Sequence, residues 1–343
     1  MSRLKISYSL TRRSSQSRIA SAYLEMLATE HDIIGMQDAA DLVIVHHPPR
    51  NYETVYALHP ALKDRYVVSC CVPHAEDVPD LWKRNLERVQ EVWTPSEFCR
   101  QALVPYHPNV VVMPYVIERD LAISTEARTG VSRMIGFDPD FVYFLMIAPL
   151  EEPRKNIPAL VETFKRVCGD MPRARLVIKA STSDVPSWVS HPQIIFLPLQ
   201  MPFDYISALH ELSTIYVSAH HAEGWGVTIS DAMLFAKPVI ATGYSGNLEY
   251  MNEHNAFPIR YTHGEVADIP APGIAVDPGM RWSEPDTEHL AELLLDLYSA
   301  HGDTRVQDKV KRATTDIRRF NRDAVQRIIN QRVEEIAHEF QAS

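Results

Sequence analysis

Between Glu223 and Leu248 the chain reads EGWGVTISDAMLFAKPVIATGYSGNL. A carboxylate, a Gly-aromatic-Gly turn, a helical pattern, a short apolar β-type run and a second glycine turn follow one another without interruption. Gly224-Trp225-Gly226 permits a backbone turn that residues with side chains would disfavour. A helix starting near Val227, with Thr228 in its first turn, presents unpaired N–H groups and the positive end of its dipole, which favour an anion such as a phosphate. Asp231 lies one turn inside, on the Val227 face, and its side chain leans back toward the helix start. There it can accept hydrogen bonds from the vicinal hydroxyls of a ribose. Any one of these residues alone would read as ordinary solvated surface. Together, carboxylates and bare amides at helix and strand ends suit a ligand that carries hydroxyls and phosphates at once, a nucleotide-sugar.

Regular elements must position these groups, and the rest of the sequence supplies them. Short β-branched runs alternate with helical patterns, the signature of α/β units around parallel sheets. In the first part, strands are predicted at 4–8, 41–46, 66–69, 91–94 and 109–113, with helices over 17–29, 80–90 and 96–104. Ser96 opens the last of these helices, with Glu97 in its first turn. A second series predicts strands at 141–147, 175–179, 193–197, 214–218 and 238–242, and helices at 157–168, 203–212, 227–236 and 287–300. Residues 120–138 are polar and irregular and read as a linker. From 306 the pattern is helical to the end, with Val325, Ile328, Ile329, Val333, Ile336 and Phe340 at helical spacing. The expected architecture is α/β, with two Rossmann-like doubly wound domains facing each other across a cleft and ligands at the carboxyl ends of strands. The first domain is expected over 1–122 and the second over 138–321, with the helix at 322–343 packing back on the first.

Composition bounds the partners. A chain of 343 residues suits two domains, and 45% hydrophobic residues suffices for two cores. The longest apolar runs, such as 141–150, fall far short of the ~20 residues a membrane span requires. The opening MSRLKISYSL has no apolar signal core, so cytoplasmic residence is expected. Cys70 and Cys71 are adjacent while Cys99 and Cys168 stand alone, which favours buried reduced thiols over disulfides or a zinc site. A net charge of −10 argues against general nucleic-acid binding. Seven Lys or Arg between Arg305 and Arg322 are a local exception. They read as a solvated helix face or, alternatively, as a peripheral contact with anionic lipid headgroups at the inner membrane surface.

The words and spacing around 214–251 resemble the retaining glycosyltransferases of family 4, which have the two-domain GT-B fold. Their mark is a Glu, seven residues and a second Glu around a GFG-type turn, followed by GKPVIAT. Here Glu223 and Asp231 take the two positions, and AKPVIATGYSGNLEYM follows. GYSGNLEYM, with WSEPDTEHLA at 282–291, is similar to the bacterial polysaccharide and O-antigen members. The resemblance extends to EEPRKNIPALVETF at 151–164, LVIKA at 176–180 and EVWTPSEF at 91–98. The chain departs from the pattern at Pro149, where many relatives carry Arg, and at the glycine-free SLTRRSSQSR (9–18), where Arg12 and Arg13 offer charge.

The resemblance implies roles position by position. Glu223 lies beside the donor sugar, and Asp231 binds the ribose. Lys155 neutralises the donor diphosphate, the leaving group, where a fixed cation stabilises charge that grows as the glycosidic bond breaks. Arg154 and Lys179 belong to the same pocket. Gly224, Trp225, Gly226, Val227 and Thr228 form the donor-binding turn and helix start. Tyr244, Ser245, Gly246, Asn247 and Leu248 wrap the sugar and diphosphate with backbone amides, an anion-binding nest. His220 touches the sugar, and His221 has no counterpart in the pattern. His74 faces the acceptor or the transferred sugar, with His46 and His47 as lesser candidates. No metal or bound cofactor is implied, because the nucleotide-sugar, GDP-mannose or a UDP-hexose, is a co-substrate. The implied activity is retaining transfer of a hexose to a saccharide or lipid-linked saccharide acceptor in surface polysaccharide or lipopolysaccharide assembly. The alternative is a non-transferring protein of the same fold, a sugar-nucleotide epimerase or a donor-binding scaffold.

Overall fold

The computed structural model describes residues 3–10, 15–36, 39–118, 122–182, 185–267 and 276–341, so Arg12 and Arg13 lie outside the described residues. The chain clusters into two units: Met1–Glu118 with Ala275–Met280 and Arg319–Ser343, and Arg119–Ile274 with Arg281–Arg318. Among the described residues, each unit holds a six-stranded parallel sheet.

The first unit runs β1 (Lys5–Leu10), α1 (Ser15–Glu30), β2 (Asp32–Ile34), β3 (Leu42–His46), α2 (Tyr52–Leu58), β4 (Tyr66–Cys70), α3 (Asp80–Leu86), β5 (Glu91–Thr94), α4 (Glu97–Leu103) and β6 (Val110–Val112). Its strand order is β2-β1-β3-β4-β5-β6. Strands β3 and β5 are buried at every position, as a parallel sheet covered on both faces requires. Val43, Val45, Val67 and Val92 pack against Tyr52, Trp82, Leu86 and Leu103. Ser96 caps α4, its hydroxyl accepting from the Cys99 N–H at 3.3 Å. The short β2 and α2 fall where no element was expected, because three- and seven-residue pieces are too brief to show a period.

The second unit runs α5 (Thr125–Ile135), β7 (Val142–Ile147), α6 (Ile157–Val167), β8 (Ala174–Ala180), β9 (Ile194–Pro198), α7 (Phe203–Leu212), β10 (Ile215–Ser218), α8 (Val227–Leu234), β11 (Val239–Thr242) and β12 (Phe257–Ile259). An antiparallel ribbon follows, β13 (Tyr261–Glu265) paired with β14 (Arg281–Pro285), and then α9 (Thr287–Ala300) and α10 (Thr304–Ile317). Sheet order is β12-β11-β10-β7-β8-β9, the dinucleotide-fold order 3-2-1-4-5-6 when counted from β9. Phe144, Leu176, Val217 and Ile240 of the strands meet Leu160, Phe164, Leu290 and Leu294 of α6 and α9.

The expected linker at 120–138 is corrected. It contains α5, capped by Ser124 Oγ accepting from the Ala127 N–H at 3.0 Å and closed by Gly136 at φ 58°. Ala127, Val131 and Ile135 recur every fourth residue as one narrow buried stripe that polar composition masks. Helix α8 ends at Leu234, two residues short of the expected 236, and Ala236 turns left-handed at φ 53°.

The helical pattern from 306 divides at Arg318–Phe320, and the chain then returns to the first unit as α11 (Arg322–Gln341), packed on α1. Val325, Ile329, Val333 and Ile336 are buried, while Ile328 at the edge of the stripe is exposed. Arg332 of this helix reaches Glu91 with Nε at 3.0 Å from Oε1 and Nη2 at 2.6 Å from Oε2.

The basic run between Arg305 and Arg322 is largely engaged within the protein. Arg305 pairs with Asp296, Lys311 with Asp308, and Arg322 with Glu25 and Glu118, while Lys309 bonds the Glu253 and Ala256 carbonyls. Among the described residues no helix is long and apolar enough to cross a membrane. The four cysteines are free and buried.

Candidate active site at the switch point of the second sheet

In an open α/β sheet the crevice for a ligand opens where strand order reverses, outside the carboxyl ends of the strands. In the second sheet that point lies between β7 and β10. The segment after β7 delivers Arg154 and Lys155, and the segment after β10 delivers His220 to Glu223. The His221 N–H donates to the Arg154 carbonyl at 2.7 Å, tying the two segments together.

Glu223 is 5% exposed, and both of its carboxylate oxygens are occupied. Arg154 Nη1 donates to Oε2 at 2.8 Å, and Lys155 Nζ donates to Oε1. Burial pushes the Glu223 carboxyl up, but Lys155 and Arg154 outweigh burial and hold it far below the usual carboxylate range. Lys155 sits below the ordinary lysine value because burial and the adjacent Arg154 charge oppose its ammonium. Burial also opposes the Arg154 guanidinium, yet Glu223 and Glu152 hold it above its ordinary value. Glu152 is a member of the cluster that the sequence reading passed over; the word EEPRK carried the signal in its paired acids. Two cations and two carboxylates thus neutralise one another.

Lys179, at the end of β8, is different. It is 7% exposed, and among the described residues its ammonium bonds Ser181 Oγ at 2.8 Å and pairs with no carboxylate. Burial pulls its pKa down. Among the described residues no acid cancels its charge.

The two glycine turns interlock. A Cβ on Gly246 would lie 2.0 Å from the Gly224 carbonyl oxygen, so only glycine lets the backbones approach, and the Gly246 N–H donates to the Glu223 carbonyl at 2.8 Å. Gly226 starts α8 in the left-handed region at φ 83°, and the Tyr250 hydroxyl lies 2.8 Å from the carbonyls of Trp225 and Gly226. The Ile229 and Ser230 N–H groups turn back to the Gly226 carbonyl. Those of Val227 and Thr228 have no acceptor among the described residues, and their side chains are half-buried. Thr228 Oγ1 accepts from Tyr216 Oη at 2.6 Å. Ser245 is held at φ 76°, a strained position for a non-glycine residue, by its hydroxyl accepting from the Glu223 N–H at 2.8 Å and donating to the Tyr244 carbonyl at 2.6 Å.

Several expected contacts take another form. Trp225 is a buried anchor, its ring 5.1 Å from that of Tyr250, so it offers a ligand backbone alone. His220, expected against the sugar, is fully buried, with Nδ1 3.0 Å from Ser218 Oγ and Nε2 3.1 Å from Asn247 Oδ1. Burial pulls its pKa to about 4, and it positions the second turn rather than facing a ligand. Asn247 is likewise enclosed, donating to the Thr242 carbonyl at 2.9 Å. Asp231 is 0% exposed, so a ribose reaches it only if α8 or the turn before it shifts. Gly224 and Tyr244 are buried, and Leu248 is exposed. His221 stacks on Trp282, centroids 4.3 Å apart, and anchors β14.

His74 follows β4 in the first unit and is half-buried. His46 and His47 end β3 at that sheet's own switch point, between β1 and β3. His46 Nδ1 lies 2.9 Å from Tyr8 Oη and His47 Nε2 lies 2.8 Å from Ser9 Oγ; burial lowers both pKa values, that of His46 to about 4. Among the described residues no three His, Cys, Asp or Glu side chains converge as a metal site would require.

Comparison with known proteins bears on this geometry. Residues 142–298, most of the second unit, match the family described as glycosyl transferases group 1. No curated protein matches the sequence. Among solved structures, HepE of Anabaena, in complex with UDP and glucose, is similar with a TM-score of 0.69 at 14% identity, over 97% of this chain and 100% of that one. A glycosyltransferase from Rickettsia africae gives a TM-score of 0.71 at 15% identity over 98% and 99% of the two chains. The pneumococcal O-GlcNAc transferase GtfA, in complex with UDP and GlcNAc, gives 0.62 at 16% identity, over 94% of this chain and 60% of that one. These likenesses establish the GT-B fold, and the family match over residues 142–298 supports a glycosyltransferase.

Proposed function

We propose that the protein is a retaining hexosyltransferase that moves a hexose from a nucleotide-sugar to a saccharide or lipid-linked saccharide acceptor in surface polysaccharide assembly. The observation that carries this reading is the buried Arg154–Glu223–Lys155 cluster at the β7/β10 switch point, beside two interlocked glycine turns and the start of α8. Of the two donors expected, the UDP bound in HepE and GtfA favours a UDP-hexose over GDP-mannose.

In this reading the donor's diphosphate takes Lys155 away from Glu223. That exchange keeps Lys155 paired and frees Oε1 of Glu223 for a sugar hydroxyl, so the nucleotide opens the sugar's place. Lys179 and the Val227 and Thr228 N–H groups supply the positive potential that the neutral cluster lacks. As the bond from the anomeric carbon to the diphosphate oxygen breaks, its electron pair stays on the leaving diphosphate, where these groups stabilise it. The acceptor hydroxyl attacks from the same face through an oxocarbenium-like state and passes its proton to a phosphate oxygen. Charge stabilisation falls to side chains and a helix terminus rather than to a metal ion.

The test is a thermal-shift screen over nucleoside diphosphates, followed by incubation with the matching nucleotide-glucose. Stabilisation by one diphosphate and its slow release from the sugar nucleotide are expected. No stabilisation by any of them overturns the reading, and binding without turnover identifies a donor-binding scaffold instead.

A further inference from the structure

The ribbon β13–β14 plays no part in the donor contacts above, yet it is fastened to the segment that carries Glu223. The Ser283 N–H donates to the His221 carbonyl at 3.1 Å, Ser283 Oγ donates to the same carbonyl at 2.6 Å, and His221 Nδ1 donates back to the Ser283 carbonyl at 2.6 Å. Trp282 stacks on the His221 ring from the other side of the ribbon. Tyr261 and His263, two residues apart, project to one face of β13. Tyr244 of the second glycine turn packs against both, with centroids 5.1 Å from Tyr261 and 5.9 Å from His263, and Tyr261 meets His263 edge-to-face at 5.6 Å. Tyr244 is buried, whereas Tyr261 is 36% exposed and His263 is exposed. Three rings therefore lock one another in place at the edge of the candidate site and leave two of them open to solvent.

The charges around these rings select the ligand. On the ring face the exposed Glu265 stands opposite the exposed Arg281, whereas Glu284 lies on the other face, and Arg260 at the base is held by Asp286 and Glu292. One acid opposite one base leaves that face without the net positive charge that would draw a phosphate or a lipid headgroup. A neutral pyranose suits the place: its C–H face lies against an aromatic ring, and a hydroxyl donates to the Glu265 carboxylate. We propose that Tyr261 and His263, backed by Tyr244, form a stacking subsite for a sugar ring of the saccharide acceptor. This rests on the glycosyltransferase reading and adds to it the place where acceptor carbohydrate docks.

Saturation-transfer NMR on the full chain tests the subsite with maltotriose, cellobiose and methyl α-mannoside as probes, and nucleoside-diphosphate thermal shifts run in parallel. At least one saccharide should contact the parent protein. Tyr261→Leu, which keeps apolar bulk without a ring, and His263→Ala should each weaken that contact roughly two- to tenfold. Tyr261→Phe should retain it, and the diphosphate shift should stay unchanged in all three. The proposal is overturned if the parent contacts none of the probes, if Tyr261→Leu binds as the parent does, or if that variant loses the diphosphate shift. Loss of the diphosphate shift in the parent, with ring-dependent saccharide contact intact, would sink the donor reading and leave the carbohydrate subsite standing.

Discussion

Each unit buries a carboxylate and answers it with basic side chains, but at opposite ends of its strands. In the first unit Glu91 opens β5, is 0% exposed, and has both oxygens claimed by Arg332 while Trp93 Nε1 donates at 2.6 Å and Tyr66 Oη at 3.1 Å. Every donor there comes from the unit's own sheet or from α11, so the cluster fastens the terminal helix to the sheet. In the second unit Glu223 follows the carboxyl end of β10, its cations stand beside a helix start with bare N–H groups, and Lys179 at the carboxyl end of β8 has no acid partner among the described residues. A closed set of partners at an amino end makes a structural joint. A set with spare positive charge at a carboxyl end, where the strand order reverses, makes a place for an anion.

Changing Glu223 should have the largest effect. Glu223→Ala leaves Lys155 without its anion and Arg154 with Glu152 alone, which costs about 3–5 kcal/mol of stability and lowers sugar transfer at least ~100-fold. Urea denaturation and release of nucleoside diphosphate read the two effects separately. Arg332→Ala should cost about 3 kcal/mol by orphaning Glu91, with diphosphate affinity unchanged. A change in that affinity would break the distinction between joint and site. Along the pH axis, His46 in one unit and His220 in the other carry folded pKa values of about 4, against about 6.5 for an unfolded histidine. Between those values the unfolded chain binds more protons, so stability is full above pH 6.5 and falls as pH drops toward 4. A loss of about 2 kcal/mol per histidine between pH 7 and 5 is expected, and His46→Gln should flatten the slope of stability against pH. Lys179→Met should have the smallest structural effect. Stability should hold or rise slightly because a buried charge is removed, while diphosphate affinity drops about tenfold by calorimetry. Unchanged affinity would show that Lys179 is not the spare charge.

How legible the site was depended on sequence distance. The run from Glu223 to Leu248 keeps its glycines, its helix start and its carboxylate within a few turns of chain, so their order is itself the local geometry. The interlock of Gly246 with Gly224, and the use of His220 as a brace under Asn247, joins residues more than twenty positions apart, and no spacing rule announces it. Helix α5 was hidden by its polar composition, and β13 by five residues of which four are exposed, which leaves no alternation to read.

The alternation of β-branched runs with helical periods, by itself, determined two parallel α/β units, because apolar runs without a free face must be covered on both sides. It also pointed to the turn after β10 as the candidate site, because glycine and carboxylate placed at a strand-to-helix turn act locally. Tertiary structure alone decided which charges cancel. Lys155 sits beside Arg154 in the chain and Glu223 lies far along it, yet packing pairs all three and, among the described residues, leaves Lys179 without an acid. Charge pairing falls off with distance in space, and folding sets that distance in ways that sequence order does not.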